Sequence, residues 1–173
     1  MEIIAKRSFY NLLFLLLFVF VIPFCQSPKD DPLFVGTWQF KEAITTDDLV
    51  FNTTRTLTLT KKSYEETYVI VREDEGKISA IIGLKGDLVI SHYDMTFMLK
   101  ELGTCVKDAS NKCTGNVQWN GQSTQYWIDN ISYFELVVKG DFDADETSLR
   151  LKRDMNNDGD IDDTGEDIEF ERI

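Results

Sequence analysis

An antiparallel all-β barrel of eight to ten strands, wound as an up-and-down meander, is the fold this sequence predicts. Three observations point to it. Beyond residue 33, apolar and polar residues alternate with a period of two in run after run. No stretch in that region shows the 3.6-residue apolar spacing of an amphipathic helix. The runs are separated by short polar clusters, whereas parallel strands require crossover helices between them. Closing such a meander removes exposed strand edges. An immunoglobulin-like sandwich is the structural rival, but it needs a long Greek-key connection and none is evident.

The N-terminus stands apart from this pattern. Lys6 and Arg7 precede an apolar run over residues 12–24, after which Ser27, Pro28, Lys29, Asp30 and Asp31 turn the chain polar. Such a run spans about 20 Å as a helix, short of a bilayer core. A positive start, a short apolar centre and a polar exit form the grammar of a secretory signal. Cys25 closes the segment, in the context Val21-Ile22-Pro23-Phe24-Cys25. This resembles the lipobox of bacterial lipoproteins, with Phe24 standing where that family prefers a small residue. The resemblance implies that Cys25 is acylated, as with palmitate, and holds the protein on a membrane of the cell envelope, at the outer membrane or cell surface; without lipidation the chain is expected to be secreted. Residues 1–25 are thus expected to be a signal peptide, 26–33 a tether and 34–173 the barrel.

The strands follow in order. Phe34, Gly36, Trp38 and Phe40 share a face opposite Val35, Thr37, Gln39 and Lys41. Leu57 and Leu59 share a face of a threonine-rich run over 54–60, and Lys61-Lys62 suits a tight turn before a run over 64–71. Glu73-Asp74-Glu75-Gly76 breaks the chain ahead of a strand at 77–82, and 87–99 reads as one long run. Asn120-Gly121, between runs at 116–119 and 122–127, carries the type I′ hairpin signal. A strand over 133–139 places Phe134, Leu136 and Val138 on one side. Leu149 and Leu151 mark the next strand, and Ile168, Phe170 and Arg172 mark the last.

Composition bounds the function. With 18 Lys and Arg against 30 Asp and Glu, the chain would repel a nucleic-acid backbone. Removing Glu2, Lys6 and Arg7 with the signal takes the net charge from −12 to −13. Apolar content of 43% is enough for a packed core. Beyond Cys25, the only cysteines are Cys105 and Cys113, in a polar, turn-like stretch. In an oxidising compartment they are expected to close a small loop as a disulfide, a staple of about 2–3 kcal/mol. Zinc needs four ligands, and His92 is the only histidine.

At Gly36-Thr37-Trp38 the sequence resembles the Gly-x-Trp element that opens the first strand of lipocalins. The order of this element, a threonine-rich strand, a tyrosine-rich strand and a Gly-Lys strand is similar to small bacterial lipocalin-like lipoproteins across residues 34–173. The resemblance implies that Trp38 closes one end of the barrel and that Arg172 packs across its ring, a cation–π contact of about 1–2 kcal/mol when desolvated. It also implies a cup for a small apolar ligand, since eight strands leave room for side chains or one such molecule. Trp119, Tyr126, Trp127, Tyr133 and Tyr93 either line or cap the mouth of that cup or fill the core.

The sharpest local motif is Asp154-Met155-Asn156-Asn157-Asp158-Gly159-Asp160-Ile161-Asp162. Counting Asp154 as the first position, oxygen-bearing side chains recur at alternate residues through Asp162, with Gly159 where a calcium loop turns sharply. The twelfth position is Gly165 where an EF-hand has glutamate, so Glu166 or Asp167 would close the shell. The flanks read as strands, so the motif predicts a structural Ca²⁺ loop in a hairpin, held by Asp154, Asn156, Asp158, Asp160, Asp162 and Glu166. Nine carboxylates and no cation lie between Asp154 and Glu171, and a divalent ion relieves their repulsion. The second acidic run, 141–146, lacks the glycine and reads as a plain turn.

No catalytic constellation stands out, and the chain is not expected to be an enzyme. A serine triad would have to be built on His92 with Ser91 and Asp94, and a lone strand histidine is usually structural. Three roles remain: a carrier of a small apolar or amphipathic ligand, a surface adhesion or interaction module with a filled barrel, and an inhibitor presenting the Cys105–Cys113 loop.

Overall fold

The computed structural model describes residues 31–155, 158–160 and 166–173. Alternation becomes nine antiparallel strands: β1 (Gly36–Thr46), β2 (Leu49–Leu59), β3 (Ser63–Arg72), β4 (Lys77–Ser91), β5 (Asp94–Lys107), β6 (Cys113–Gly121), β7 (Val137–Ala144), β8 (Ser148–Arg153) and β9 (Asp167–Arg172). Eight of them close a barrel, because β1 pairs with both β2 and β9, and β4 with both β3 and β5. The ninth, β6, lies outside the ring. It pairs with the second half of β5 from Glu101 onward, while the first half, Asp94–Met98, pairs with β7. The all-β barrel is therefore as the sequence predicts, with one strand folded out of the meander.

Several local expectations are overturned. The run at 87–99 is two strands meeting at a tight turn, in which Ser91 pairs with Asp94 and His92 has φ +56°. His92 is thus a turn residue and shares no strand face with Asp94. Asn120-Gly121 makes no hairpin. The Asn120 side chain is buried and donates to the carbonyls of Leu102 and Gln118, so the dipeptide ends a strand. Residues 125–130 form the short helix α1 (Gln125–Asn130), started by Thr124, whose hydroxyl accepts from Trp127 N–H, and followed by a 3₁₀ turn at Ile131–Tyr133. Strand β7 therefore begins at Val137, and Leu136 is exposed. It also takes in Asp141–Ala144 of the acidic stretch read as a turn, and only Asp145 and Glu146 of that stretch lie in the reversal that leads to β8. The turn with two successive positive φ angles is Asp47-Asp48, between β1 and β2. Aspartate tolerates that backbone through its short polar side chain.

Side chains alternate between faces of a strand, so the registers stack inward residues in rows across β1 to β5. The lowest row is Gly36, Leu59, Tyr64, Gly86 and Leu99. Above it come Trp38, Leu57, Glu66, Leu84 and Leu102, then Phe40, Arg55, Tyr68, Ile82 and Thr104. The next row, Glu42, Thr53, Ile70 and Ala80, has no β5 member. Leu149, Leu151, Ile168 and Phe170 complete the core from β8 and β9. The two lower rows are largely sealed, with Trp38, Leu57 and Glu66 each 0% exposed. In the third row Phe40, Tyr68, Ile82 and Thr104 are only half-buried, and in the fourth Glu42 is exposed. The barrel thus has a closed end at Trp38 and an opening beyond Arg55.

Candidate functional site

The closed end is built by the residues the sequence singled out. Trp38 Nε1 donates to the carbonyl of Phe34 at 2.9 Å. The Arg172 guanidinium lies 4.4 Å from the centre of the Trp38 ring and donates to the carbonyl of Leu33. Strand β9 brings Arg172 directly opposite Trp38 in the ladder.

Above this end sits a group that the sequence reading missed. Glu66 accepts from Arg55 Nε at 2.6 Å and from Arg153 Nη1 and Nη2 at 2.8 and 2.9 Å. Two guanidiniums around one carboxylate leave an excess positive charge inside the barrel, where charge is costly unless compensated. Arg55 Nη2 is buried and has no hydrogen-bond partner among the described residues. The Arg55 guanidinium lies 4.8 Å from the centre of the Tyr68 ring and 5.4 Å from that of Phe170, and Arg153 lies 5.2 Å from that of Phe97. Burial opposes the Arg55 charge, but the Glu66 carboxylate more than restores it and raises its pKa. Burial and then the same carboxylate push the Tyr68 and Tyr64 phenols up, so both stay neutral. The signal was present in the alternation: Arg55, Glu66 and Arg153 each stand on the apolar stripe of their strands.

No known protein family, curated protein or solved structure matches the chain.

A cleft lies beside the opening, sharing Ala80 and Thr104 with its rows. Pairing of β4 with β5 stops at Ile82–Thr104. Beyond that point a cleft of about 710 Å³ separates Lys77–Ile81 of β4 from the disulfide loop, with Ala80 and Thr104 on its wall. Cys105 and Cys113 form the expected disulfide, with Cα atoms 5.6 Å apart. Arg72, Lys77, Lys107, Lys112 and Glu75 line the same cleft; Arg72 is ion-paired with Asp74 and Glu75, and Lys77 with Glu75. A second cleft of about 660 Å³ lies between the 3₁₀ turn and β7, lined by Ile131, Phe134, Leu136, Val137 and Asp154.

The five aromatics divide three ways. Trp127 is buried under α1 against Leu99 and Leu102, with Tyr126 packed beside it. Trp119 covers the backbones of Gly83 and Gly103, where an added Cβ would meet its ring at 2.7 and 2.9 Å, and Lys85 lies over that ring. Tyr93 and Tyr133 are 79% and 80% exposed.

The acidic loop joins β8 to β9. Asp154 accepts from the backbone N–H groups of Asp158 and Gly159 at 3.2 and 3.1 Å, and Asp158 accepts from that of Asp160 at 3.1 Å. Glu166 is only 3% exposed, and its carboxylate accepts from Met155 N–H at 2.7 Å. Asp154 thus ties Asp158 and Gly159 back to the end of β8. Among the described residues no three His, Cys, Asp or Glu side chains are grouped to hold a metal. Asn156, Asp162 and Cys25 lie outside the described residues.

Proposed function

We propose that this protein is an exported, lipid-anchored, lipocalin-like carrier that holds a small amphipathic molecule in the open end of its barrel. The observation that carries the reading is the gradient along the barrel axis, from the sealed Trp38 row to the half-open row of Phe40, Tyr68, Ile82 and Thr104. The cleft reaching Thr104 has the volume of a small-molecule site. The apolar run before Cys25 supports export and anchoring, and the spacing from Asp154 to Glu166 supports a structural Ca²⁺ that stiffens the last hairpin. The test is titration of the purified protein with dodecanol, followed by tryptophan fluorescence and native mass spectrometry. Saturable one-to-one binding is expected; no binding up to the solubility limit, by dodecanol or by a twelve-carbon anionic amphiphile, contradicts the reading. Loss of membrane partitioning in Cys25→Ala is expected from the anchor, and unchanged partitioning counts against it.

A second reading is an interaction module acting through its outer surface. It is favoured by the exposed apolar side chains Ile128, Tyr133, Leu136 and Val137 around α1 and the start of β7. It predicts that dodecanol does not bind and that substitutions at Tyr133 and Leu136 abolish partner capture.

A further inference from the structure

We infer that the molecule held in the open end carries an anionic headgroup, seated against Nη2 of Arg55, with its apolar chain running outward past Phe40, Tyr68, Ile70 and Ile82. This rests on the carrier reading and names the chemistry it leaves open.

Two independent observations carry it. The first is the unmatched donor. Arg55 is 5% exposed, its Nε is committed to Glu66, and its Nη2 has no hydrogen-bond partner among the described residues. A buried donor without an acceptor is costly, and more so on a charged group. Among the described residues the one carboxylate bonded to the group, Glu66, is already shared with Arg153, so the cluster keeps a net positive charge. Glu42 stands one row outward and is exposed. The Glu42 carboxylate favours the Arg55 charge from outside but does not bond to it, so an anion arriving through the opening would supply the missing acceptor and add to that compensation. The Tyr68 ring, which lies over the guanidinium and is only partly covered, is the side chain that would turn aside to admit it.

The second observation is the rim. In a chain of net charge −12, the cleft that reaches Thr104 is lined by Arg72 and Lys77, which are ion-paired with Asp74 and Glu75, and by Lys107 and Lys112, which carry no ion pair among the described residues. Thr104 belongs to the same row as Arg55. A local positive patch on an acidic protein concentrates and guides anions toward it. The surrounding row is aromatic and aliphatic, which suits a hydrocarbon chain and not a free inorganic ion. Carboxylate and phosphate headgroups share this chemistry, so the probes must separate them.

The experiment is isothermal titration of the purified protein, in detergent-free buffer, with dodecanoate, dodecyl phosphate, dodecanol and inorganic phosphate. A charge-assisted hydrogen bond predicts that the better anionic amphiphile binds roughly tenfold or more tightly than dodecanol. The tighter of the two identifies the headgroup. Arg55→Gln is expected to bring that ratio close to one, and Arg55→Lys, which keeps the charge, to preserve part of it. Should Arg55→Gln fail to fold by circular dichroism, the ratio in the unmodified protein together with Arg55→Lys decides. Dodecanol binding as tightly as the better of the two anionic amphiphiles, or inorganic phosphate binding as tightly as dodecyl phosphate, overturns the inference while leaving the carrier reading in place. No binding of any chain-bearing probe overturns the carrier reading instead.

Discussion

The two ends of this barrel are built from the same strands and solve opposite problems. At the closed end every inward position is filled. Trp38 is sealed beneath Arg172, Phe170 and Leu149 are fully buried, and the tryptophan N–H is satisfied by Phe34. At the open end the same five strands present half-covered rings and a guanidinium with a donor to spare. The difference teaches that this barrel concentrates its stability in the lower rows and leaves the upper ones underfilled. The Arg55–Glu66–Arg153 cluster marks the boundary between the two regimes.

The boundary itself should break most dramatically. Glu66→Gln strands two buried guanidiniums, and removing one partner of a buried ion pair costs about 3–5 kcal/mol. Urea unfolding should register a loss of that size, whereas Glu42→Gln, exposed in the open rows, should shift the midpoint little. Comparable losses for the two would show that the rows do not differ as described.

The next largest effect belongs to the disulfide beside the cleft. Replacing Cys105 and Cys113 with Ser should cost about 2–3 kcal/mol by loop-entropy reasoning. Amide exchange should accelerate chiefly at the β5–β6 end, and uniform acceleration through β8 and β9 would argue against a local role. At the closed end, Arg172→Met removes the contact over Trp38 and should cost about 1 kcal/mol, given the exposure of the arginine. A neutral result would show that the ring is held by packing alone.

How much of this was legible in the sequence depends on the distance over which each feature is determined. The Trp38 row follows from local alternation, and Arg172 falls on the right face because β9 keeps a strict period of two. The ion cluster was written in the same alternation, at Thr53-Arg55-Leu57, Tyr64-Glu66-Tyr68 and Leu149-Leu151-Arg153. A charge on an apolar stripe reads as an irregularity until its partner is known, and Arg153 meets Glu66 across 87 residues. The Asn120-Gly121 signal misled because it is a statement about backbone preference, and burial of the Asn120 amide against Leu102 outweighed it. Helix α1 has six residues, too few for a 3.6-residue period to show. The fold-out of β6 depends on where β5 changes partners, which no local pattern encodes.

The smallest predicted effect probes the turn between β7 and β8, where the carbonyl of Thr147 accepts from Arg172 N–H. Asp145 accepts from the N–H and O–H groups of both Thr147 and Ser148. The backbone N–H groups of Thr147 and Ser148 are the main cause that lowers its pKa from 3.8 to about 2. A depressed carboxylate stabilises the fold above its unfolded value and loses that contribution as pH falls through its folded one. Asp145→Asn should therefore be slightly less stable than the unmodified protein at neutral pH, with the gap closing as pH drops from 3.8 toward about 2. A gap that persists at low pH would assign the effect to turn geometry and not to charge.

The account depends most on the opening above Arg55 being a place where a molecule sits. A crystal structure of the protein grown with dodecanoate tests it directly. The account predicts carboxylate density within hydrogen-bonding distance of Arg55 Nη2, a displaced Tyr68 ring, and chain density along Ile70 and Ile82. An unchanged Tyr68 over a dry, filled interior, with dodecanoate confined to the cleft beside Leu136 or absent, would contradict it.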